Sequence, residues 1–144
     1  MVINSKGGID LMKNETRKQI YFWGSLWNFS FAFNGLVMPR LTMWLLSGSK
    51  NIITGILPLT FFAFFWGAVG LFGAGYYLVS RDPEKNQGII WMGCFAKVIL
   101  FLTFARLYLR RQITTFAFLA GLGDFIWTIL FLAALRGEKQ EEKA

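Results

Sequence analysis

Residues 88–109 read GIIWMGCFAKVILFLTFARLYL, and residues 113–135 read ITTFAFLAGLGDFIWTILFLAAL. Each stretch is about as long as the roughly 20 apolar residues that a helix needs to cross a bilayer. Lys97 and Asp124 interrupt these stretches near their middles. A charge in hydrocarbon is costly, and it is normally found inside a bundle or beside a partner. The two stretches therefore predict membrane helices with an intramembrane polar site.

Two further apolar runs, 20–38 and 52–79, precede this pair. Together the runs predict an all-α integral membrane protein, an antiparallel bundle of four transmembrane helices in a single domain over residues 1–144. A polar segment, 1–16, and a charged tail, 136–144, flank the bundle. A transmembrane β-barrel is excluded because runs such as 59–69 do not alternate between apolar and polar residues.

Local signals indicate where these helices begin and end. Asn14 is a residue type that caps helices, so we expect the first helix to start there. Pro39 favours a break after the first span, followed by a short interfacial segment over 41–46 and a turn over 47–51. One continuous, strongly tilted helix over 20–46 is the alternative.

Two more prolines bear on the second and third helices. Pro58 either kinks the second helix or opens it. The sequence Arg81, Asp82, Pro83 is typical of a helix start, with Asp82 as N-cap and Pro83 at the first helical position.

The basic residues predict the orientation of the bundle. If both termini are cytoplasmic, the outer side carries few basic residues: Arg40, Lys50, Arg110 and Arg111. The inner side carries many more: Lys6, Lys13, Arg17, Lys18, Arg81, Lys85, Arg136, Lys139 and Lys143. The positive-inside rule favours this orientation. Topology and contact with anionic membrane lipids explain the net charge of +7, so no nucleic acid is needed as a partner.

The composition excludes several kinds of chemistry. The chain has no histidine, which removes histidine-ligated haem and most zinc sites. Cys94 is the single cysteine, so an internal disulfide cannot form. Asp124 is the only acid within the spans, which excludes a buried two-carboxylate site. We expect neither a cofactor nor a metal ion.

Lys97 and Asp124 lie equally far from a turn midway between residues 110 and 111, where hydropathy places the end of a hairpin. Antiparallel helices should therefore bring the two side chains together about 20 Å from that turn. Alternatively, Lys97 extends toward the interface or pairs with another helix. Asn28 lies at a similar depth, Asn34 lies nearer the outer leaflet, and Trp127 lies on the face of Asp124. These groups form either a polar pocket or interhelical hydrogen bonds that only support packing.

Residues 73–93 read GAGYYLVSRDPEKNQGIIWMG, and Lys97 and Asp124 follow. This half of the chain resembles small four-helix bacterial inner-membrane proteins, broadly the DoxX-like proteins. The resemblance implies a bacterial four-helix bundle in which residues 81–83, Gly93, Lys97 and Asp124 belong to one pattern. Members of this group are largely uncharacterised, so it implies no catalytic residues.

Three classes of function agree with the sequence. The first is a non-enzymatic subunit, scaffold or lipid-binding module whose buried ion pair fixes helix register. The second is a small proton-coupled transporter or channel in which Asp124 exchanges Lys97 for a proton or cation. The third is a lipid-modifying enzyme with Asp124 as acid or base. Membrane lipids are the expected partners, and a homo-oligomer or a larger membrane complex is compatible with each class.

The orientation can be tested with introduced cysteines in a chain that lacks Cys94. Ser49→Cys should react with an impermeant thiol reagent added outside intact cells, whereas Lys139→Cys should react only after the cells are opened. The chain without any cysteine is the control for background labelling. The reverse pattern would contradict the orientation and the depths derived from it.

Overall fold

The chain is all-helical over the residues that the structure, a computed structural model, describes. The description covers the backbone of residues 5–48 and 54–141, and the side chains of residues 14–48 and 54–135. The helices are α1 (Ser5–Val37), α2 (Pro39–Ser47), α3 (Ile56–Arg81), α4 (Gln87–Leu109) and α5 (Thr115–Glu141). The prediction of an all-α fold is confirmed.

Among the described residues, three helical segments are long and apolar enough to cross a membrane. They are Ile56–Arg81, Gln87–Leu109 and Thr115–Leu135. Helix α1 is longer than any of them, but its apolar run contains Ser25, Asn28 and Asn34, and it does not reach the same hydropathy. Three of the expected spans are thus present by length and composition.

Helix α1 differs from the expectation at its start and agrees with it at its end. It begins at Ser5, so the prediction of an N-cap at Asn14 is wrong. Residues 9–19 contain neither glycine nor proline, and nothing in that stretch interrupts a helix. Met38 breaks the helix with φ −124° and ψ 56°, and Pro39 is the first residue of α2. The break at Pro39 is confirmed, and one continuous helix is wrong.

Helix α3 opens at Ile56, with Pro58 in its first turn. A proline is tolerated there because the first turn lacks intrahelical acceptors for its N–H groups. The alternative of a kink at Pro58 is therefore wrong. The turn expected over 47–51 falls partly outside the described residues, as does the start of the run 52–79.

The helix start predicted at residues 81–83 is also wrong. Arg81 ends α3, Asp82 is its C-cap, and α4 begins only at Gln87. The Asp82 carboxylate does accept a hydrogen bond from the N–H of Lys85, at 3.3 Å, but this closes a single turn. The Asn86 side chain donates to the Asp82 carbonyl oxygen at 3.1 Å, so the turn is closed at Asn86, the residue before α4 begins.

The four long helices pack in the cyclic order α1, α3, α4, α5. Helix α1 lies against α3 and α4 lies against α5 over long stretches, whereas the two pairs touch each other less. An apolar core joins the pairs at the end nearest the 82–86 turn. Its largest fully buried side chains are Tyr21, Tyr76, Val79, Ile90 and Phe131.

Helix α2 closes the opposite end of the bundle. The N–H of Thr114 donates to the carbonyl oxygen of Leu46 at 2.9 Å, and the Thr114 hydroxyl donates to that of Leu45. The same hydroxyl accepts a hydrogen bond from the N–H of Ala117 at 3.2 Å, so it caps the first turn of α5. One side chain thus starts α5 and fixes α2 to the turn between α4 and α5.

Thr114→Val should destabilise this end of the bundle by about 1–2 kcal/mol, because it removes a helix cap and a hydrogen bond between elements. Thermal unfolding of the detergent-solubilised protein measures the change. Thr115→Val is the matched control, since Thr115 is exposed within the first turn of α5. Equal effects of the two substitutions would contradict the role of Thr114.

Candidate functional site

Lys97 lies at the centre of a buried polar cluster. The residue is 5% exposed, and its Nζ contacts Oδ1 of Asp124 in an ion pair. Nζ also donates a hydrogen bond to Oδ1 of Asn28 at 2.9 Å. The structure therefore brings together three of the residues singled out from the sequence: Lys97, Asp124 and Asn28.

Each long helix contributes to this cluster. Nδ2 of Asn28 donates to the carbonyl oxygen of Val69 at 3.3 Å, which turns Oδ1 of the amide toward Lys97. From α3, the ring of Tyr76 lies beneath the ammonium group, with Nζ 5.7 Å from the ring centroid. A cation over an aromatic face is attracted by the ring quadrupole. Helices α4 and α5 supply Lys97 and Asp124 themselves.

Asp124 receives a second hydrogen bond, from Nε1 of Trp27 at 3.2 Å, and it also ends on Oδ1. The indole reaches the carboxylate because it packs directly on Gly123, where a Cβ would lie 2.6 Å from a ring atom. Tyr76 is seated in the same way, since a Cβ at Gly93 would lie 2.0 Å from its hydroxyl oxygen. Two glycines thus admit the aromatic rings that flank the ion pair.

A cavity of about 520 Å³ lies between the α1–α3 pair and the α4–α5 pair. Its polar lining is confined largely to the cluster described above, and the remaining lining is mostly aliphatic and aromatic. The lining residues away from the cluster are Phe31, Leu46, Phe65, Trp66, Ala68, Val69, Phe72, Ala96, Ile99, Leu100, Thr103, Phe104 and Ala120.

The cavity has a polar end and an apolar body. Leu46 of α2 lines it on the side opposite the tightly packed core. The exposed lining residues, including Phe65 at 40% and Ile99 at 64%, all lie on α3 and α4, whereas the described lining residues on α1, α2 and α5 are buried or half-buried. The cavity therefore opens sideways between α3 and α4. A volume of this size with few convergent polar groups is typical of a binding site for an apolar small molecule.

The other predicted site residues lie elsewhere. Asn34 is exposed, and its Nδ2 donates to the carbonyl oxygen of Ser30 in its own helix at 2.7 Å. Trp127 packs against Phe131, with ring centroids 5.9 Å apart, and it does not line the cavity. Residues 81–83 lie at the turn between α3 and α4, beyond the apolar core.

Trp27 and Tyr76 are the site residues that the sequence did not reveal. Trp27 directly precedes Asn28, so proximity in sequence was an available signal. Tyr76 lies far from the depth of Lys97 when only Cα positions are counted. However, side chains tilt toward the N-terminus of their helix, and in this antiparallel pair the tilts bring Tyr76 and Lys97 toward each other.

Among the described side chains, no three acids or cysteines are grouped closely enough to hold a metal ion. No protein-family model matches the chain, and neither a curated protein nor a solved structure matches it. The resemblance to DoxX-like proteins therefore stays a prediction. The geometry offers a neutralised ion pair at the end of an apolar cavity.

A double-mutant cycle tests the coupling of the ion pair. Lys97→Met and Asp124→Leu should each destabilise the solubilised protein by about 3–5 kcal/mol, because each strands the opposite charge. The double variant should lose much less than the sum of the single losses, since no unpaired charge remains. Unfolding in detergent measures all three values.

Arg106→Met is the control for loss of a positive charge from α4. Arg106 is exposed and does not line the cavity, so its replacement should change stability by less than about 0.5 kcal/mol. Strictly additive losses at residues 97 and 124 would show that the two charges are not coupled.

Proposed function

We propose that the chain is a multi-pass membrane protein, a four-span bundle with both termini cytoplasmic, that binds an apolar, lipid-type ligand in the cavity beside Lys97 and Asp124. The bacterial inner membrane is the proposed location. The role is non-enzymatic binding. The observation that carries the proposal is a cavity with an apolar body and one polar end, whose exposed lining residues lie on α3 and α4.

The outer surface supports a membrane location. Large apolar side chains are strongly exposed on α3 and α4, including Leu71 at 75%, Phe64 at 70% and Phe95 at 66%. Soluble monomers rarely expose contiguous apolar surface on this scale, whereas lipid tails solvate such surface without cost. These helices are also among the candidate spans.

The packing of α1 supports a fourth crossing. Helix α1 lies against α3 along much of its length and supplies Asn28 to the central cluster. An antiparallel partner in such contact shares the depth of α3. Its own outer face carries Phe33 and Val37, which are about 60% exposed. The polar residues that reduce its hydropathy include Ser25 and Asn28, which are buried in the bundle.

The lining of the cavity favours binding over transport or catalysis. Outside the cluster, the only described lining side chains with a polar atom are those of Trp66 and Thr103, and the Thr103 hydroxyl donates to the carbonyl oxygen of Ile99 at 2.8 Å. A proton relay needs successive polar groups, and this lining does not supply them within the described residues. Transport or lipid chemistry at Asp124 stays a prediction from the sequence.

Filling the cavity tests the binding function. Ala120 lines the cavity one turn before Asp124, so Ala120→Phe should occupy the space beside the cluster. Gentle purification followed by lipid extraction and native mass spectrometry should recover an apolar molecule with the original protein. The amount per protein should fall at least tenfold in Ala120→Phe.

Ala133→Phe is the matched control, because Ala133 is exposed on the same helix and does not line the cavity. It should retain the bound molecule. If the original protein and both variants carry the same amount of lipid, the cavity is not a binding site and a scaffold role becomes the better explanation.

A further inference from the structure

The polar end of the cavity is balanced in charge. Among the described residues, Lys97 and Asp124 are the only ones in the lining that carry charge, and they contact each other. A charged ligand group placed beside them would remain without a counter-ion in a water-poor setting. Burial of an uncompensated charge is strongly unfavourable. The cavity therefore favours a ligand whose polar group is uncharged.

The hydrogen bonds of the cluster define that group further. Both described hydrogen bonds that the Asp124 side chain accepts, from Lys97 and Trp27, end on Oδ1. Within the described residues Oδ2 accepts none, and Asp124 lines the cavity. A carboxylate oxygen in such a place is satisfied by a donor on the ligand.

Lys97 requires that the ligand group also accept a hydrogen bond. An ammonium group carries three N–H donors, and the described hydrogen bonds of Nζ go to Asp124 and Asn28. The third donor has no hydrogen-bond acceptor among the described residues, and Lys97 lines the cavity. A ligand group that both donates to Oδ2 and accepts from Nζ satisfies the two atoms together. A hydroxyl group does this, whereas an ester or ketone accepts only and an alkyl group does neither.

We propose that the occupant is an uncharged lipid with a hydroxyl group, which donates to Oδ2 of Asp124 and accepts from Nζ of Lys97. This rests on the proposed binding function and names the class of its ligand. The hydrocarbon lies along the apolar body of the cavity toward Leu46. A longer chain leaves sideways between α3 and α4, where Phe65 and Ile99 are exposed.

The test compares four ligands with the same chain: hexadecanol, hexadecane, hexadecanoate and hexadecylammonium, each brominated at the same carbon in the first half of the chain. Trp27 and Trp66 line the cavity, so bromine inside it should quench tryptophan fluorescence of the purified protein. Titrations are run at a pH where both head groups of the ionic ligands are charged. Saturable quenching that Ala120→Phe lacks reports binding in the cavity.

Hexadecanol should bind at least tenfold more tightly than the other three ligands, because only it satisfies both polar atoms without bringing charge. In the double variant Lys97→Met, Asp124→Leu, hexadecanol and hexadecane should bind alike. Arg106→Met removes a positive charge from the same helix away from the cavity and should keep the full preference for hexadecanol.

Single substitutions test the charge balance separately. Asp124→Asn leaves Lys97 unbalanced and should move the preference to hexadecanoate, whereas Lys97→Gln should move it to hexadecylammonium. The affinity of each ligand is expressed relative to that of hexadecane, so a general loss of affinity would not be mistaken for a shift in preference. Unchanged preferences in both variants would overturn the proposal even if the titrations of the original protein favoured hexadecanol.

The remaining outcomes distinguish failure of the hydroxyl assignment from failure of the proposed binding function. Equal binding of all four ligands would overturn the hydroxyl assignment and leave the cavity as a general apolar site. Tighter binding of either ion would also overturn it and would assign a charged ligand instead. If no ligand shows saturable quenching beyond that of Ala120→Phe, the proposed binding function is itself wrong.

Discussion

Burial of the Lys97 ammonium group is the constraint on which the arrangement of the bundle depends. An ammonium group removed from water needs an anion and further acceptors, and here they come from different helices: Asp124 from α5 and Asn28 from α1. Helix α3 adds the ring of Tyr76 and the carbonyl oxygen that orients Asn28. Rotating or sliding any one of the long helices would break a contact of this group. The cluster thus fixes relative depth and rotation in a bundle whose apolar contacts alone are less specific.

The cavity follows from where small and large side chains face each other. Around the ion pair, aromatic rings lie on glycines, as Tyr76 does on Gly93, and the helices close around them. Beyond the pair, the facing positions include Ala68, Ala96 and Ala120, which are too short to fill the space between the helix pairs. Because Thr114 fixes α2 across the far end, Leu46 of α2 bounds this space there, and the exposed lining residues lie on α3 and α4. The size of the facing side chains therefore explains both the close packing around the ion pair and the cavity beyond it.

The sequence predicted those features that depend on spacing along a single element or across a symmetric hairpin. The equal distances of Lys97 and Asp124 from the turn at residues 110–111 were enough to place them together, and Pro39 was enough to place the break after α1. The start of α4 was missed because Asp82 and Pro83 suit a helix start, yet they form only a single turn ended by Asn86. Trp27, rather than Trp127, flanks Asp124, since contacts between α1 and α5 depend on how the two helix pairs are rotated. The spacing of residues along one helix does not predict how the two helix pairs are rotated relative to each other.

A purely structural ion pair and a binding site make different demands on hydrogen bonding. If the pair served helix register alone, satisfying every donor and acceptor from within the bundle would give the greatest stability, because an unsatisfied buried group is costly. Instead, both described hydrogen bonds to the Asp124 carboxylate end on Oδ1, while Oδ2 has none within the described residues. Asp124 lines the cavity and does not belong to the apolar core cluster. A ligand that supplied the missing partner would gain the free energy of this hydrogen bond, so under the proposed binding function the same pair would position the helices and select the ligand.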